Sequence, residues 1–423
     1  MENILRIIKK IVPLNIFRSL QPAYHFSLAF LASVFYRFPS RHIKIVVITG
    51  TKGKTSTTEI VSAILEEAGY KTALLGTLRF KIGDEEERNL YKMTVPGRFF
   101  VQHFLRRAVK AKCDWVVIEM TSEGARQFRH RFIDLDALIF TNLSPEHIES
   151  HGSFENYLDA KLSIARALGG SPKRPRTIVA NADNQYSKEF LAVDADIKTT
   201  YSLKDAEPYA LKKDSTSFNF MGSPLEAHLS GAFNLSNMLA GISFARTIGV
   251  APEVIRRALL KFHGIRGRVE RINAGQDFDV IVDYAHTVDS LEKVYEVFQD
   301  SRKICVLGGT GGGRDSWKRP AMGAVAGAHC DEIILTNEDP YDEDPAKIIN
   351  EIAEGINNAQ YEIILDRRLA IASALIRART GDTVIITGKG TDPYIMEADG
   401  KKTPWDDAQV AREELQKIGF KEK

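Results

Sequence analysis

The chain has few cysteines and almost no net charge, and it has no long apolar run. Each shortage narrows what it can be. The three cysteines, Cys113, Cys305 and Cys330, are far apart and odd in number. They form no CxxC or zinc-type spacing, which argues against a disulfide framework or a structural zinc. Reduced thiols in a cytoplasmic protein are the expectation. Lys+Arg number 57 against Asp+Glu 55, a net charge of +2. That balance gives no basic surface of the kind nucleic acid requires, so no nucleic-acid partner is expected. The apolar run at residues 26–36 falls short of the roughly 20 residues that cross a bilayer. There is no repeat at solenoid period and no low-complexity segment. What remains is an ordinary globular composition, 44% hydrophobic and 26% charged over 423 residues, a length for two or three domains.

The first 40 residues carry a basic pair, Lys9 and Lys10, ahead of that apolar run. The arrangement has the form of a signal-peptide core. A nucleotide-binding strand begins only a few residues later, however, so one or two helices packed on the first domain are expected. The amphipathic stretch 4–12 offers membrane contact as the alternative.

From residue 43 the pattern becomes regular. IKIVVIT at 43–49 is β-branched and continuously apolar, as a buried parallel strand is. A Gly-rich turn follows, then a helical pattern over 54–68 stopped by Gly69. Strand-like segments recur at 115–120, 137–143 and 177–181. A more polar, β-like stretch covers 198–229, and a small-residue helix runs from 234 to 247. After Arg268 a second series begins: DVIVDYA, KICVLGG, EIILTN, YEIILD and TVIITGKG. The alternation predicts an α/β protein: a P-loop ATPase domain with a doubly wound, mostly parallel sheet, then a Rossmann-like α/β domain. The expected boundaries are a helical extension at 1–41, a central ATP-binding domain at 42–266 and a C-terminal domain at 267–423.

Residues 50–55 read GTKGKT between a strand and a helix, the context a phosphate loop requires. Gly50, Thr51, Lys52, Gly53, Lys54, Thr55 and Ser56 form the loop and the helix start. Its backbone N–H groups and dipole suit phosphate. Lys54 is placed to reach the β/γ-phosphates of ATP and Thr55 to ligate Mg²⁺. Ile48 stands where the longer phosphate-loop motif has its first glycine, so this is the shorter GxxGKT form. Glu119 ends a strand at the edge where ligands bind in open α/β sheets, and a carboxylate there suits Mg²⁺. His147 and His151 lie in the loop after the next strand, and His147 is the candidate ligand. Lys161, on a helix, reads by itself as a solvated side chain. GGTGGG at 308–313 is a weak dinucleotide pattern without its helix, since RDSWKRP follows. DEEER at 84–88 reads as a solvated charge run in a hairpin or loop.

Taken in order, GTKGKT, EMTSEG, TNLSPEHIESHG, YLDAK, GAFNLSN, GIRGRVE, DYAHT, GGGRDSWKRPAMG and GKGTD resemble the Mur ligases. The likeness covers about residues 43–420. It is greatest to the MurE-like branch, which adds an amino acid to a UDP-N-acetylmuramoyl dipeptide. The resemblance implies an ATP-dependent amide ligase of peptidoglycan precursor synthesis that works through an acyl phosphate. Lys54 and Thr55 then match the phosphate lysine and magnesium hydroxyl, and Glu119 and His147 match magnesium ligands. Lys161 matches a lysine carbamylated by CO₂, whose carbamate holds a second Mg²⁺. Asn234 and Asn237 match the adenine side, and Arg268 and Asp283 match residues that close over the nucleotide. Thr94, Pro96, Thr121, Gln127 and Arg129 match donor-substrate positions. Arg314, Asp339, Tyr341, Lys389 and Asp392 fall on the amino-acid side. The partners implied are small molecules, a nucleotide-sugar peptide and an amino acid, handled by a cytoplasmic monomer.

Three departures shape the expectation. Only about 40 residues precede the phosphate-loop strand, where the branch has a uridine-binding domain. The extension is therefore a reduced substitute, or the donor does not present the usual UDP handle. EDPY carries Tyr341 where diaminopimelate-adding relatives have an arginine, which favours lysine or another diamino acid. GKGTD carries Asp392 in place of glutamate. The alternatives are a folylpolyglutamate synthase, a pseudomurein- or polyglutamate-type ligase and, in another class, a non-catalytic ATP-binding scaffold.

Overall fold

The computed structural model describes residues 14–146, 151–313, 316–357 and 359–421. His147, Arg314, Lys9, Lys10 and the stretch 4–12 lie outside the described residues. The chain divides into two compact units. One holds residues 1–205 and 236–259; the other holds 206–235 and 260–423.

In the first unit, helix α1 (Leu14–Phe35) precedes β1 (Lys44–Thr49). β1 is buried from Ile45 onward, since a central parallel strand is covered on both faces and needs no polar alternation. Helix α2 (Lys54–Glu67) follows and ends where Gly69, at φ +86°, turns the chain out of the helix. Then come β2 (Thr72–Leu75), β3 (Arg79–Ile82), β4 (Glu85–Arg88), α3 (Arg98–Lys110), β5 (Trp115–Glu119), α4 (Ser122–Arg126) and β6 (Ala137–Phe140). The unit continues with α5 (Phe154–Gly169), β7 (Thr177–Asn181), α6 (Ser187–Leu191) and β8 (Ile197–Tyr201). The strands form one sheet in the order β4-β3-β2-β5-β1-β6-β7-β8. It is parallel except for the β2-β3-β4 edge. β1 pairs with β5 on one side and β6 on the other, so the loops leaving all three strands emerge together. The 84–88 charge run is β4, paired antiparallel with β3 in a hairpin.

β6 is shorter than expected. It stops at Phe140 because Thr141 and Asn142 turn to bond the loop after β1. The Thr141 hydroxyl donates to the Lys52 carbonyl (2.7 Å), and the Thr51 N–H donates to the Asn142 carbonyl (2.8 Å).

The polar stretch forms β9 (Tyr209–Leu211), β10 (Thr216–Phe220) and β11 (Ser223–Ala227), a small antiparallel sheet grouped with the second unit. Helices α7 (Ala232–Thr247) and α8 (Pro252–Lys261) follow. The second unit then builds β12 (Glu270–Arg271), β13 (Asp279–Val282), α9 (Val288–Val297), β14 (Lys303–Leu307), α10 (Arg319–His329), β15 (Glu332–Leu335) and α11 (Pro345–Ala353). β16 (Gln360–Ile363), α12 (Arg367–Arg377) and β17 (Thr383–Ile386) complete the larger sheet. A short hairpin, β18 (Tyr394–Met396) and β19 (Lys402–Pro404), and α13 (Asp407–Lys417) end it. The larger sheet has the order β12-β13-β17-β14-β15-β16 and is parallel but for β12. Alternate side chains of β13, β14 and β17 feed two apolar cores, one including α12 and α13, the other α9, α10 and α11.

The cysteine expectation fails here. Cys305 of β14 and Cys330, at the end of α10, are joined in a disulfide with Cα atoms 6.2 Å apart. Their 25-residue separation hides the closeness, because the crossover helix carries the chain back beside the strand it left. Both are buried in the apolar core, and Cys113 is a buried free thiol. Among the described residues, no helix is long and apolar enough to cross a membrane.

Candidate active site

The loop after β1 is held in shape from the adjoining strand ends. Gly50 (φ +157°) lies so close to Thr141 that a Cβ would fall 1.9 Å from its hydroxyl. Gly53 caps α2 at φ +78°, and a Cβ there would fall 2.3 Å from Asn237 Oδ1. Glycine is required at both. Asn142 accepts the Lys52 N–H (2.8 Å), and the Thr51 hydroxyl meets Tyr157 (2.9 Å). Lys54 folds back to donate to the Thr51 carbonyl (2.8 Å). Thr55 donates to Glu119 Oε1 (3.0 Å), and the Thr77 N–H donates to Oε2 (2.9 Å). Ser56 is buried in the first turn of α2. A hydroxyl and a carboxylate within hydrogen-bond distance are hard oxygen donors of the kind Mg²⁺ takes, so the residues present fit that ion.

Lys161 is 1% exposed. Its Nζ donates to the Gly50 carbonyl (2.5 Å) and stands 4.8 Å from the Tyr157 ring centre. Burial, and then the Lys54 charge, hold its ammonium well below the usual lysine range. His151 is buried, with Nε2 3.1 Å from the Ser122 hydroxyl.

A second group lies beside this edge. The Thr94 hydroxyl bonds Thr77 (2.8 Å), the residue whose N–H holds Glu119. Half-buried Pro96 leads into α3. Thr121 is the N-cap of α4, accepting from Gly124 (3.0 Å). Gln127 Oε1 accepts from Arg129 (2.8 Å), and the Gln127 carbonyl accepts from Arg98 Nε (2.8 Å). Asn237 Oδ1 accepts from Thr57 (3.4 Å).

In the second unit, Asn234 is buried and donates to the Ser230 carbonyl (2.9 Å). The Arg268 guanidinium lies 4.5 Å over the Tyr284 ring. Asp283 accepts the N–H groups of Val269 and Ala285 (2.7 Å each). Lys389 is fully buried and bonds Asp339 (2.8 Å) and Asp392 (2.9 Å). Its charge is spent inside that triad. Tyr341 sits at φ +52° with its N–H on the Met396 carbonyl (3.0 Å).

Sequence reasoning missed Tyr157, Thr77 and Asn142. Tyr157 carried a signal, being one helical turn before Lys161 on the same face. The others act through backbone or through residues distant in sequence, and the pattern gives no sign of them.

Residues 48–245 match the Mur ligase middle domain and residues 267–390 the Mur ligase, glutamate ligase domain. The chain is 37% identical over 404 residues to a UDP-N-acetylmuramoyl-L-alanyl-D-glutamate--2,6-diaminopimelate ligase of Syntrophomonas wolfei, covering 92% of this chain and 81% of that protein. It is 38% identical to a UDP-N-acetylmuramyl-tripeptide synthetase of Roseiflexus, covering 93% and 82%. A solved structure of a UDP-N-acetylmuramoyl-L-alanyl-D-glutamate--2,6-diaminopimelate ligase superposes with a TM-score of 0.62 at 27% identity, covering 89% of this chain and 79% of that one.

Proposed function

The chain belongs to the Mur ligase family of ATP-dependent amide-forming ligases, and from that premise we propose the following. It adds an amino acid to the free carboxylate of a UDP-N-acetylmuramoyl dipeptide in peptidoglycan precursor synthesis. The observation that carries the reading is the meeting of Lys54, Thr55, Glu119 and buried Lys161 where β1 and β5 end.

A carboxylate is a poor electrophile at neutral pH. Transfer of the ATP γ-phosphoryl activates it as an acyl phosphate, and the amine then displaces phosphate. The N–H groups at the start of α2 and the Lys54 ammonium receive phosphate oxygens. Thr55 and Glu119 would hold Mg²⁺, joined by His147, and the carbamate of Lys161 would hold a second ion. Bound there, magnesium neutralises charge on the phosphates. The burial that disfavours the Lys161 ammonium supports the carbamate reading, because an unprotonated nitrogen is what adds to CO₂. Asn234 and Asn237 serve the adenine side, and Arg268 and Asp283 the nucleotide. Thr94, Pro96, Thr121, Gln127 and Arg129 serve the donor. Arg314, Asp339, Tyr341, Lys389 and Asp392 serve the amine, with Lys389 positioning the two aspartates. Residues 42–266 and 267–423 are the working domains. Tyr341 in place of an arginine supports lysine, or another diamino acid, over diaminopimelate.

The test is phosphate release with ATP, Mg²⁺ and UDP-MurNAc-L-Ala-D-Glu against lysine, ornithine and diaminopimelate, with product masses measured. Lysine- or ornithine-dependent release with the matching mass gain is expected. Efficient use of diaminopimelate would overturn the amine assignment. No release with any amine, while ATP still binds, would overturn the donor.

A further inference from the structure

The loop between α4 and β6 has an unusual backbone. Phe128 and Phe132 stand at φ +57° and +59°, a region bulky side chains avoid. Such strain persists where the surroundings over-determine it, and it gathers at ligand sites. Here the surroundings include α1. Its Phe26 ring lies 6.3 Å from Phe128 and 5.0 Å from Phe132, and Phe30 lies 5.3 Å from Phe132. Between Phe128 and Phe132 in sequence is Arg129, 7% exposed, whose Nε has no hydrogen-bond partner among the described residues.

Arg129 does not stand alone. Its other nitrogens bond the Val95 carbonyl, Gln127 Oε1 and the Met93 sulfur. Arg98, at the start of α3, bonds the Gln127 carbonyl and the Nδ1 of His25 on α1. All these partners are neutral. The nearby carboxylate, Glu123, bonds Gln127 Nε2 (2.7 Å) and lies 3.8 Å from Arg126. A buried guanidinium, Arg129, and a half-buried one, Arg98, thus repel one another, and no carboxylate among the described residues is bonded to either. That arrangement is costly unless an anion completes it. α3 also begins without a side-chain cap, so the positive end of its dipole adds to the same field.

We propose that Arg98, Arg129 and His25 form a subsite for an oxyanion of the donor, a carboxylate or a phosphate group, which α1 completes. The proposal rests on the donor reading above and extends it to two residues outside the motifs, His25 and Arg98. Burial and then the Arg98 and Arg129 charges lower His25 to about 4, with Arg126 acting the same way and Glu123 opposing. Its ring is therefore neutral and accepts from Arg98. An oxyanion between the guanidiniums cancels much of that repulsion, so binding raises the His25 pKa.

The experiment is an NMR titration of the His25 ring in the full chain, alone, with UDP and with L-alanyl-D-glutamate. One probe should raise the His25 pKa by about one unit or more, and which one does so identifies the oxyanion as phosphate or carboxylate. Arg98→Met should weaken that probe's Kd by at least about tenfold, and Arg98→Lys should recover part of the loss. ATP affinity within about twofold of wild type shows the variants folded. A His25 pKa moved by neither probe overturns the proposal. So does an unchanged probe Kd in a folded Arg98→Met protein. Failure of the donor reading looks different: no amide product with any amine, with the probe-linked His25 shift intact.

Discussion

Lys161 is a costly residue for a fold to carry. It is buried and bonds the Gly50 carbonyl, no carboxylate among the described residues is bonded to it, and burial disfavours its ammonium. Packing gains nothing from an amine there that a methionine would not give. On the proposed reading, conversion to a carbamate would offset that cost by placing an anion beside the phosphate loop. Lys161→Ala is therefore expected to lower kcat by about a hundredfold or more, the scale of losing one preorganised charge. Acetate or propionate should restore part of it, and bicarbonate should stimulate wild type depleted of CO₂. Unchanged turnover would remove the carbamate from the mechanism. Sequence reading reached Lys54, Thr55 and Glu119 because each sits within a local motif or at a strand's end. It reached Lys161 only through family resemblance, since the partner that explains its burial is 111 residues away. Arg98 and His25 were out of reach for the same reason. A charged residue near a helix start reads as solvated until the fold shows what lies across from it.

At the scale of elements, the parallel strands were legible and their ends were not. β1 from Ile45 onward, β7 and β17 are buried runs rich in β-branched residues, a signature set by composition alone. β6 ends early because side chains of Thr141 and Asn142 serve another loop, which no periodicity encodes. The disulfide is the largest miss. The Cys305–Cys330 bond closes β14, the glycine-rich 308–313 turn and α10 into one unit. Cross-linking a 25-residue separation should contribute about 3 kcal/mol, mainly by restricting the unfolded chain. A Cys305→Ser, Cys330→Ser double variant should lose stability of that order, seen as faster hydrogen exchange in β14 and β15, while ATP binding by the first unit is kept. Reductant should reproduce the effect in wild type and leave the double variant unmoved. Identical exchange with and without reductant would mean that the thiols do not pair in solution.

At the scale of the whole molecule, the order of motifs was legible and so was the family, because a ligase of this kind distributes its groups along the chain. The phosphate loop and Glu119 belong to the first unit, and Lys389 and its aspartates to the second. Neither set alone distinguishes the ways a carboxylate can be activated. The proposed chemistry does. If the γ-phosphoryl is transferred to the donor carboxylate, one carboxylate oxygen becomes the bridge to phosphorus. When the amine attacks the carbonyl carbon, the carbon–oxygen bond breaks and that oxygen departs with phosphate. A donor labelled with ¹⁸O in both oxygens of the reacting carboxylate should therefore yield inorganic phosphate carrying one labelled oxygen per turnover. The other should remain in the amide carbonyl, with ADP unlabelled. An adenylate route would instead release AMP bearing the label, and direct hydrolysis of ATP would leave both products unlabelled. Glu119→Gln should lower the rate of labelled phosphate formation without redirecting the label, because its carboxylate supports the transfer and does not choose the bond that breaks. Mass analysis of the phosphate thus tests the acyl phosphate independently of which amine the enzyme prefers.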